Sequence, residues 1–277
     1  MLQKDYRMGN ITIVTAFFDI GRGDWTPERG LPHYLQRSNE TYLERFGHLA
    51  TLNNEMVIFT SADLVDKITP YRKGKEDITK IIAIDYKDMF KEERLNIAAI
   101  QTDEEYRSKI DPSQIKNPEY WSADYVLVNF LKSHFVNHAI ESGSVTNDTA
   151  AWIDFGYCRD MSMLGGHTEW NYDFAKDKIH FFQHKEFDNK RTILDVIANN
   201  DVHILGAKIV ASVEKWPTLE KIMDHSIREM MKHKLIDDDQ TVMLISSLLK
   251  PELFELHKIV PDHTWIEHNS IFKEYNV

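Results

Sequence analysis

The sequence has one cysteine, Cys158, so no disulfide can form within the chain. Proteins that lack disulfides are typical of reducing compartments. Long hydrophobic runs are also missing: the apolar stretch at residues 11–18 is short, is followed at once by Asp19 and has no small-residue cleavage site. We therefore expect a soluble, cytoplasmic protein, with peripheral attachment to a membrane left open.

Basic residues are in the minority, with 33 Lys and Arg against 44 Asp and Glu and a formal net charge of -11. Because nucleic-acid-binding domains carry a basic balance, we expect no nucleic-acid partner. The chain does have a hydrophobic content of 42%, with 11% aromatic residues. That composition provides a sizeable core and argues against disorder. No shift in composition marks a second domain.

Short apolar runs alternate with helix-like segments. Predicted strands cover residues 11–18, 56–61, 80–86, 150–155, 178–184 and 203–212. Predicted helices cover residues 37–52, 122–143, 215–235 and 238–250, and residues 100–121 are interpreted as a long functional loop. The first four strands contain few charges, which is typical of a sheet covered on both faces. The alternation predicts an α/β fold with a mostly parallel sheet flanked by helices.

Open α/β sheets bind ligands at the carboxyl ends of their strands, so the residues that follow strands are the candidates for a site. After the first strand, Arg22 stands between two glycines. The glycines would let a phosphate approach the backbone and Arg22 could pair with it, although an ordinary glycine turn is an equal alternative. After the second strand, the hydroxyls of Thr60 and Ser61 could hold a ribose or cap the next helix.

The apolar run "AAWI" ends abruptly at Asp154. A carboxylate that ends a buried strand is well placed to hold Mg²⁺ or Mn²⁺, which take one or two protein carboxylates together with substrate phosphates. Gly156, two residues later, would leave space for a bulky ligand against the backbone. The alternative is that Asp154 only caps a turn.

Three consecutive aspartates, Asp237, Asp238 and Asp239, precede an apolar segment near the end of the chain. Acidic residues at a helix start interact favourably with the helix dipole, which explains one or two of them. The apolar residues that follow would place part of the cluster against the core, where an inward-facing carboxylate is a candidate general base. We expect Asp237 to be the solvated member.

Several stretches together resemble the bacterial HtrL/YibB family, in the same order and over nearly the whole chain. They are "TAFFDIGRGDW", "NPEYWSADYVLVNFLKSHFVNHAI", "AAWIDFGYCRD", "GAKIVASVEKW" and "DDDQTVMLISSLLKPELFELH". That family in turn resembles GT-A glycosyltransferases. The resemblance implies a single GT-A-like, Rossmann-like domain over residues 9–277, after an extension of residues 1–8.

The resemblance also implies site residues. In GT-A enzymes a lysine-containing helix precedes a strand that ends in Asp-x-Asp, whose carboxylates hold Mn²⁺ or Mg²⁺ on the donor diphosphate. Asp154 takes the first of these positions, while Gly156 replaces the second carboxylate. A C-terminal histidine, His263, would be a further metal ligand, with a surface loop histidine as the alternative. The implied donor site comprises Thr15, Ala16, Phe17, Arg22, Thr60, Ser61, Lys132, Trp152, Asp154 and Gly156.

The implied activity is that of a metal-dependent, inverting glycosyltransferase, with Asp239 as the base and Asp238 as the second candidate. It would move a hexose from UDP-galactose or UDP-glucose to a surface glycan or lipopolysaccharide precursor, so the implied partners are a nucleotide-sugar and a glycan or lipid-linked glycan near the inner membrane. A catalytically inactive nucleotide-sugar or glycan binding protein is one alternative, which Gly156 favours. A nucleotidyl or phosphoryl transferase is another. The sequence leaves the acceptor, the linkage and the oligomeric state open.

Overall fold

A computed structural model describes residues 11–259. Its seven strands form one sheet in the order β3-β2-β1-β4-β6-β5-β7. The strands are β1 (Ile11–Phe17), β2 (Met56–Thr60), β3 (Thr79–Ala83), β4 (Thr149–Ile153), β5 (Ile179–Gln183), β6 (Lys208–Ser212) and β7 (Phe254–Lys258). All neighbours pair in parallel except β6, which is antiparallel to β4 and β5. The predicted α/β class with a mostly parallel, mixed sheet is confirmed.

Ten α-helices lie within the described residues. They are α1 (Asn39–Leu49), α2 (Val65–Ile68), α3 (Tyr86–Met89), α4 (Lys91–Thr102), α5 (Glu104–Lys109), α6 (Ala123–Phe130), α7 (Lys132–Glu141), α8 (Ile193–Asn199), α9 (Trp216–Lys232) and α10 (Asp239–Leu249). Ser38 and Ser122 cap α1 and α6 with their side chains. The predicted helix at 122–143 is broken at Leu131 into α6 and α7. Lys132 thereby becomes the first residue of a helix.

The sheet is covered on both faces, as the continuous apolar strands predict. Along β4, Ala150 and Trp152 pack with residues of α7, α9 and α10, while Ala151 and Ile153 pack with residues of α1. Strands buried on both sides need no polar alternation, which explains why their sequences read as apolar runs. Among the helices of the described range, none combines the length and the apolar character that a bilayer crossing requires.

Two predictions about secondary structure need correction, and one strand was not predicted. The loop predicted at 100–121 is shorter, because residues 100–109 contain the end of α4 and all of α5, and residues 110–121 lack α-helix and strand. Tertiary packing orders this polar segment: the buried hydroxyls of Tyr106 and Tyr120 donate to the carbonyls of Ile236 and Ile197. The strand predicted at 203–212 begins only at Lys208. Strand β7 was not predicted, since its sequence "FELHK" lies at the sheet edge and mixes charged with apolar residues.

Candidate active site

A pocket opens at the carboxyl ends of β1 and β4, beside the first residues of α10. It is therefore at the edge of the sheet where parallel α/β proteins place their ligands. Apolar walls come from the ends of the two strands and from residues 205–207. Its polar and charged lining residues are Asp19, Arg22, Arg37, Asn39, Tyr42, Tyr125, Asn129, Lys132, Trp152, Asp154, Tyr157, Arg159, Asp238, Asp239 and Gln240.

Lys132 joins the two carboxylates that the sequence singles out. It is 2% exposed, and its Nζ lies 2.9 Å from Asp154 Oδ1 and 2.8 Å from Asp239 Oδ2. The same ammonium donates to the Gly206 carbonyl at 3.0 Å. Three acceptors match the three N–H groups of a lysine. The end of β4 and the start of α10 are thus held together through one buried cation.

The electrostatics of this group follow from its burial. Burial alone would lower the pKa of Lys132, but the carboxylates of Asp154 and Asp239 outweigh it and raise that pKa above its ordinary value. Burial raises the pKa of Asp239, and Lys132 opposes that rise. Lys132 is therefore a fixed positive charge in the wall of the pocket.

Asp154 does end the buried strand β4, at the edge of the sheet. Its backbone N–H donates to the Ala207 carbonyl at 3.0 Å, and its Oδ1 accepts from Trp152 Nε1 at 2.8 Å as well as from Lys132. The side chain is 39% exposed. Within the described residues Oδ2 has no hydrogen-bond partner, so one carboxylate oxygen is available to a ligand in the pocket.

A divalent ion in this pocket would depend on Oδ2 of Asp154 as its protein ligand. Among the described residues, the one group of three close His, Cys, Asp or Glu ligand atoms is His180, Glu255 and His257. It lies on β5 and β7 and does not line the pocket. Mg²⁺ and Mn²⁺ complete their shells with water and substrate phosphate, so a single carboxylate from Asp154 suits them only together with a bound diphosphate. His263 lies outside the described residues and stays a prediction.

Two glycines shape the pocket. A Cβ on Gly156 would lie 2.7 Å from the ring of Tyr42, so the space beside Gly156 is filled by that ring. This corrects the interpretation that Gly156 leaves room for a ligand. A Cβ on Gly206 would lie 2.8 Å from Asp239 Cγ. Glycine at position 206 is therefore what admits the Asp239 carboxylate to the Lys132 ammonium.

The three consecutive aspartates have three different partners. Asp239 pairs with Lys132, and Asp238 caps α10 by accepting from the Gln240 N–H at 3.0 Å. The expectation that Asp237 is solvated is wrong: it is 3% exposed, and its Oδ2 accepts from Thr241 Oγ1 at 2.6 Å. Its other oxygen accepts from the Asp238 N–H. Asp237 thus supports the turn that presents the other two to the pocket.

Burial also raises the pKa of the carboxyl groups beside the pocket. It raises the pKa of Asp237 to about 7, and burial with the charge of Asp237 raises the pKa of Glu119 to about 8. Burial raises the pKa of Asp238 as well, with further contributions from Asp239 and Asp237. At pH values between their unfolded and folded pKa, Asp237 and Glu119 therefore hold protons in the folded state that they lose on unfolding.

Stability should therefore depend on pH in a defined direction. A carboxyl whose folded pKa is raised stabilises the fold fully below its unfolded pKa, and this contribution is lost as the pH rises through the folded value. The unfolded values are near 3.8 and 4.5 and the folded ones near 7 and 8 for Asp237 and Glu119. We expect the free energy of unfolding, measured with urea, to fall between about pH 4 and pH 8, by about 1.4 kcal/mol per pH unit for each proton retained. Glu119→Gln should flatten this slope, and a slope unaltered by that substitution would contradict the assignment.

The predicted donor-site residues separate into two groups. Ala16, Phe17, Arg22, Trp152 and Lys132 line the pocket together with Asp154 and Gly156. Three hydroxyl residues do not. Thr15 is fully buried, Thr60 donates to the Phe17 carbonyl at 2.7 Å, and Ser61 lines a neighbouring pocket that shares Phe18 and Asp19 with the first one.

Sequence reasoning missed the contribution of α1 to the pocket. Tyr42 lines it, and Arg37 lines it just before the helix begins. Tyr125 on α6 was missed in the same way. One signal was present: Asn39 and Tyr42, which both line the pocket, are three residues apart, and residues at that spacing share a helix face.

Residues 9–273 match the family model described as "Bacterial protein of unknown function (HtrL_YibB)". The chain belongs to the HtrL/YibB family. It is 41% identical over 249 residues to Protein HtrL of Escherichia coli (strain K12), a match that covers 89% of this chain and 87% of the relative. Among solved structures it is similar to mouse xyloside xylosyltransferase 1 in the apo form, with a TM-score of 0.44 and 11% identity over 89% of this chain and 84% of the other. At that score the structural similarity says nothing about chemistry.

Proposed function

We propose that the HtrL/YibB pocket transfers a hexose from a nucleoside diphosphate sugar to a hydroxyl group. The observation that carries the proposal is Lys132, whose buried ammonium joins Asp154 and Asp239 in the pocket wall. Glycosyl transfer needs positive charge near the leaving diphosphate and, for inversion, a carboxylate near the attacking hydroxyl. The resemblance of the sequence motifs to GT-A enzymes supports the same function.

The donor diphosphate would lie beside Asp154. Asp154 would hold Mn²⁺ or Mg²⁺ there, and the ion would supply Lewis-acid stabilisation of the negative charge that develops on the leaving group. Lys132 orients Asp154 by its ion pair with Oδ1, and Trp152 does so by its hydrogen bond. Such contacts to a ligating carboxylate fix its orientation and tune its affinity.

Asp239 is the proposed base of an inverting reaction, with Asp238 as the second candidate. Both carboxylates line the pocket, and the Lys132 ammonium favours the ionised form of Asp239 that a base requires. The acceptor would be a surface glycan or lipopolysaccharide precursor, and UDP-galactose and UDP-glucose are the first donors to test. In this account the protein acts in the cytoplasm, peripheral to the inner membrane.

Binding of UDP should depend on a divalent cation and on Asp154. Asp154→Asn keeps the shape of the side chain and an acceptor for Trp152, but it removes the charge. We expect the affinity for UDP in the presence of Mn²⁺, measured by calorimetry, to fall by about tenfold or more. The matched control is Asp160→Asn, which removes an exposed carboxylate six residues after Asp154. This control should change the affinity for UDP less than about twofold. Equal affinities for UDP with Mn²⁺ and with EDTA would refute the metal part of the proposal.

A thermal-shift panel of nucleotide-sugars is the first screen for the donor. A ligand present at about a hundred times its Kd stabilises a protein by about 2.7 kcal/mol, which a melting curve readily resolves. A catalytically inactive binding protein would also give this shift, so product formation distinguishes the two. A nucleotidyl or phosphoryl transferase would cleave the donor at a phosphorus atom and leave the bond between sugar and phosphate intact.

A further inference from the structure

Four arginines lie at or beside the wall of the pocket that Tyr42 lines: Arg22, Arg37, Arg45 and Arg159. Arg22, Arg37 and Arg159 line the pocket itself. Arg22 Nη1 donates to the Tyr42 hydroxyl at 2.7 Å, and Arg45 lies three residues after Tyr42 on α1. The Tyr42 ring contacts Gly156, which is three residues before Arg159. The packing of α1 on the end of β4 thus brings these guanidinium groups together.

Within residues 11–259, three members of the cluster lack the counter-charges that such groups usually have. Arg37, Arg45 and Arg159 make neither an ion pair nor a side-chain hydrogen bond with any residue in the 11–259 range, although each is half-buried. Burial and the charges of Arg37 and Arg159 lower the pKa of Arg45, and burial and Arg37 lower that of Arg159. Like charges held close together destabilise a fold. Composition does not explain the missing partners within this range, because acidic residues outnumber basic ones in the chain by 44 to 33.

We propose that Arg37, Arg45 and Arg159 form a binding subsite for a phosphate or diphosphate group. This inference extends the proposed function, and the biological role of the subsite depends on that function. Guanidinium groups bind phosphate oxygens in a bidentate manner. A carboxylate has one charge and two oxygens, whereas three guanidinium groups match an anion with several charges and at least three acceptor oxygens. The ligand chemistry is therefore that of a phosphate.

The location of the cluster favours a small ligand over an extended polyanion. Two of the three arginines line a concave pocket rather than a flat surface. The formal net charge of -11 would repel a nucleic acid at longer range. Two sources of phosphate remain: the diphosphate of the nucleotide-sugar donor, or a phosphate group carried by the acceptor.

Calorimetry with inorganic pyrophosphate tests the subsite directly. The variants are Arg37→Gln, Arg45→Gln and Arg159→Gln, and the matched control is Arg228→Gln, which removes an exposed charge on α9. We expect each of the three variants to weaken pyrophosphate binding by about tenfold or more, because each removes a charge-assisted hydrogen-bond pair. The control should stay within about twofold of the wild type. Equal pyrophosphate affinities in all four variants would overturn the proposal.

Melting temperatures separate an anion site from a structural role. With no anion present, the three variants should melt at or above the wild-type temperature, because each relieves repulsion among the remaining arginines. Pyrophosphate should raise the melting temperature of the wild type and of the Arg228 control more than that of the variants. Variants that melt below the wild type and respond to pyrophosphate as it does would show that these arginines hold the fold and not an anion.

Binding of UDP identifies the source of the phosphate. If UDP displaces pyrophosphate and the arginine variants weaken both ligands alike, the subsite holds the donor diphosphate. If UDP and pyrophosphate bind together and the variants spare UDP, it holds a phosphate of the acceptor. Arginine-dependent pyrophosphate binding without any UDP binding would leave the subsite standing and remove the proposed function. UDP binding without any pyrophosphate binding would remove the subsite and leave the proposed function standing.

Discussion

Replacing Lys132 with methionine is expected to lower the free energy of unfolding by about 3–5 kcal/mol. The substitution keeps much of the side-chain volume but leaves Asp239 buried at 2% exposure without its cation. Removing one partner of a buried ion pair is costly because the remaining charge loses its compensating partner while it stays largely shielded from water. Urea unfolding at pH 7 measures the effect.

The double variant Lys132→Met with Asp239→Asn is the control for this mechanism. It removes both charges, so it should be more stable than Lys132→Met alone. Lowering the pH should have the same effect on the single variant. Without the ammonium the folded-state pKa of Asp239 rises further, and a group with a raised folded pKa stabilises the fold at low pH and loses that contribution as the pH rises. A loss of less than about 1 kcal/mol, independent of pH, would mean that the ion pair contributes little.

Asp239→Asn is expected to reduce sugar transfer by about a hundredfold to ten-thousandfold, the usual range for the loss of a general base. UDP affinity should change only slightly, since the base acts on the acceptor and not on the diphosphate. Asn fits the space that Gly206 provides, and Lys132 keeps its ion pair with Asp154. Steady-state kinetics and calorimetry on the same preparation measure the two quantities.

Asp237→Asn is the matched control for the loss of the base. It also replaces a buried aspartate of the same turn, but its partner is Thr241 and it does not line the pocket. We expect this substitution to change the stability of the protein. We expect the turnover number per folded molecule to stay within about threefold of the wild type. Full activity of Asp239→Asn, or a product that retains the anomeric configuration of the donor, would remove Asp239 from the role of base.

The positions of both carboxylates in the pocket could be predicted from local sequence. An apolar run that ends in a charged residue places Asp154 at a sheet edge, and apolar residues after an acidic cluster place Asp239 inward. Both inferences depend on residues adjacent in the chain. The lysine that joins them could not be found in this way, because its contacts require β4 and α10 to meet α7.

Other features depend on tertiary packing that local sequence does not specify. Arg37 and Arg45 have the appearance of solvated helix charges until α1 packs against the end of β4. In the run of three aspartates, nothing local shows that Asp237 is buried, because its burial follows from the turn that it stabilises with Thr241. The side chain of Tyr42 fills the space at Gly156, which a glycine seen alone suggests is open.

Glycosyl transfer by this pocket is tested by analysing the products formed from a panel of nucleoside diphosphate sugars. Wild-type protein and the Asp239→Asn variant would each be incubated with donor, Mn²⁺ and candidate glycan acceptors, and the nucleotide products would be separated and quantified. We expect the wild type to release one nucleoside diphosphate for each sugar transferred and the variant to release far less. Release of nucleoside monophosphate with sugar phosphate, or firm binding of a donor with no release of nucleotide in the presence of competent acceptors, would contradict this expectation.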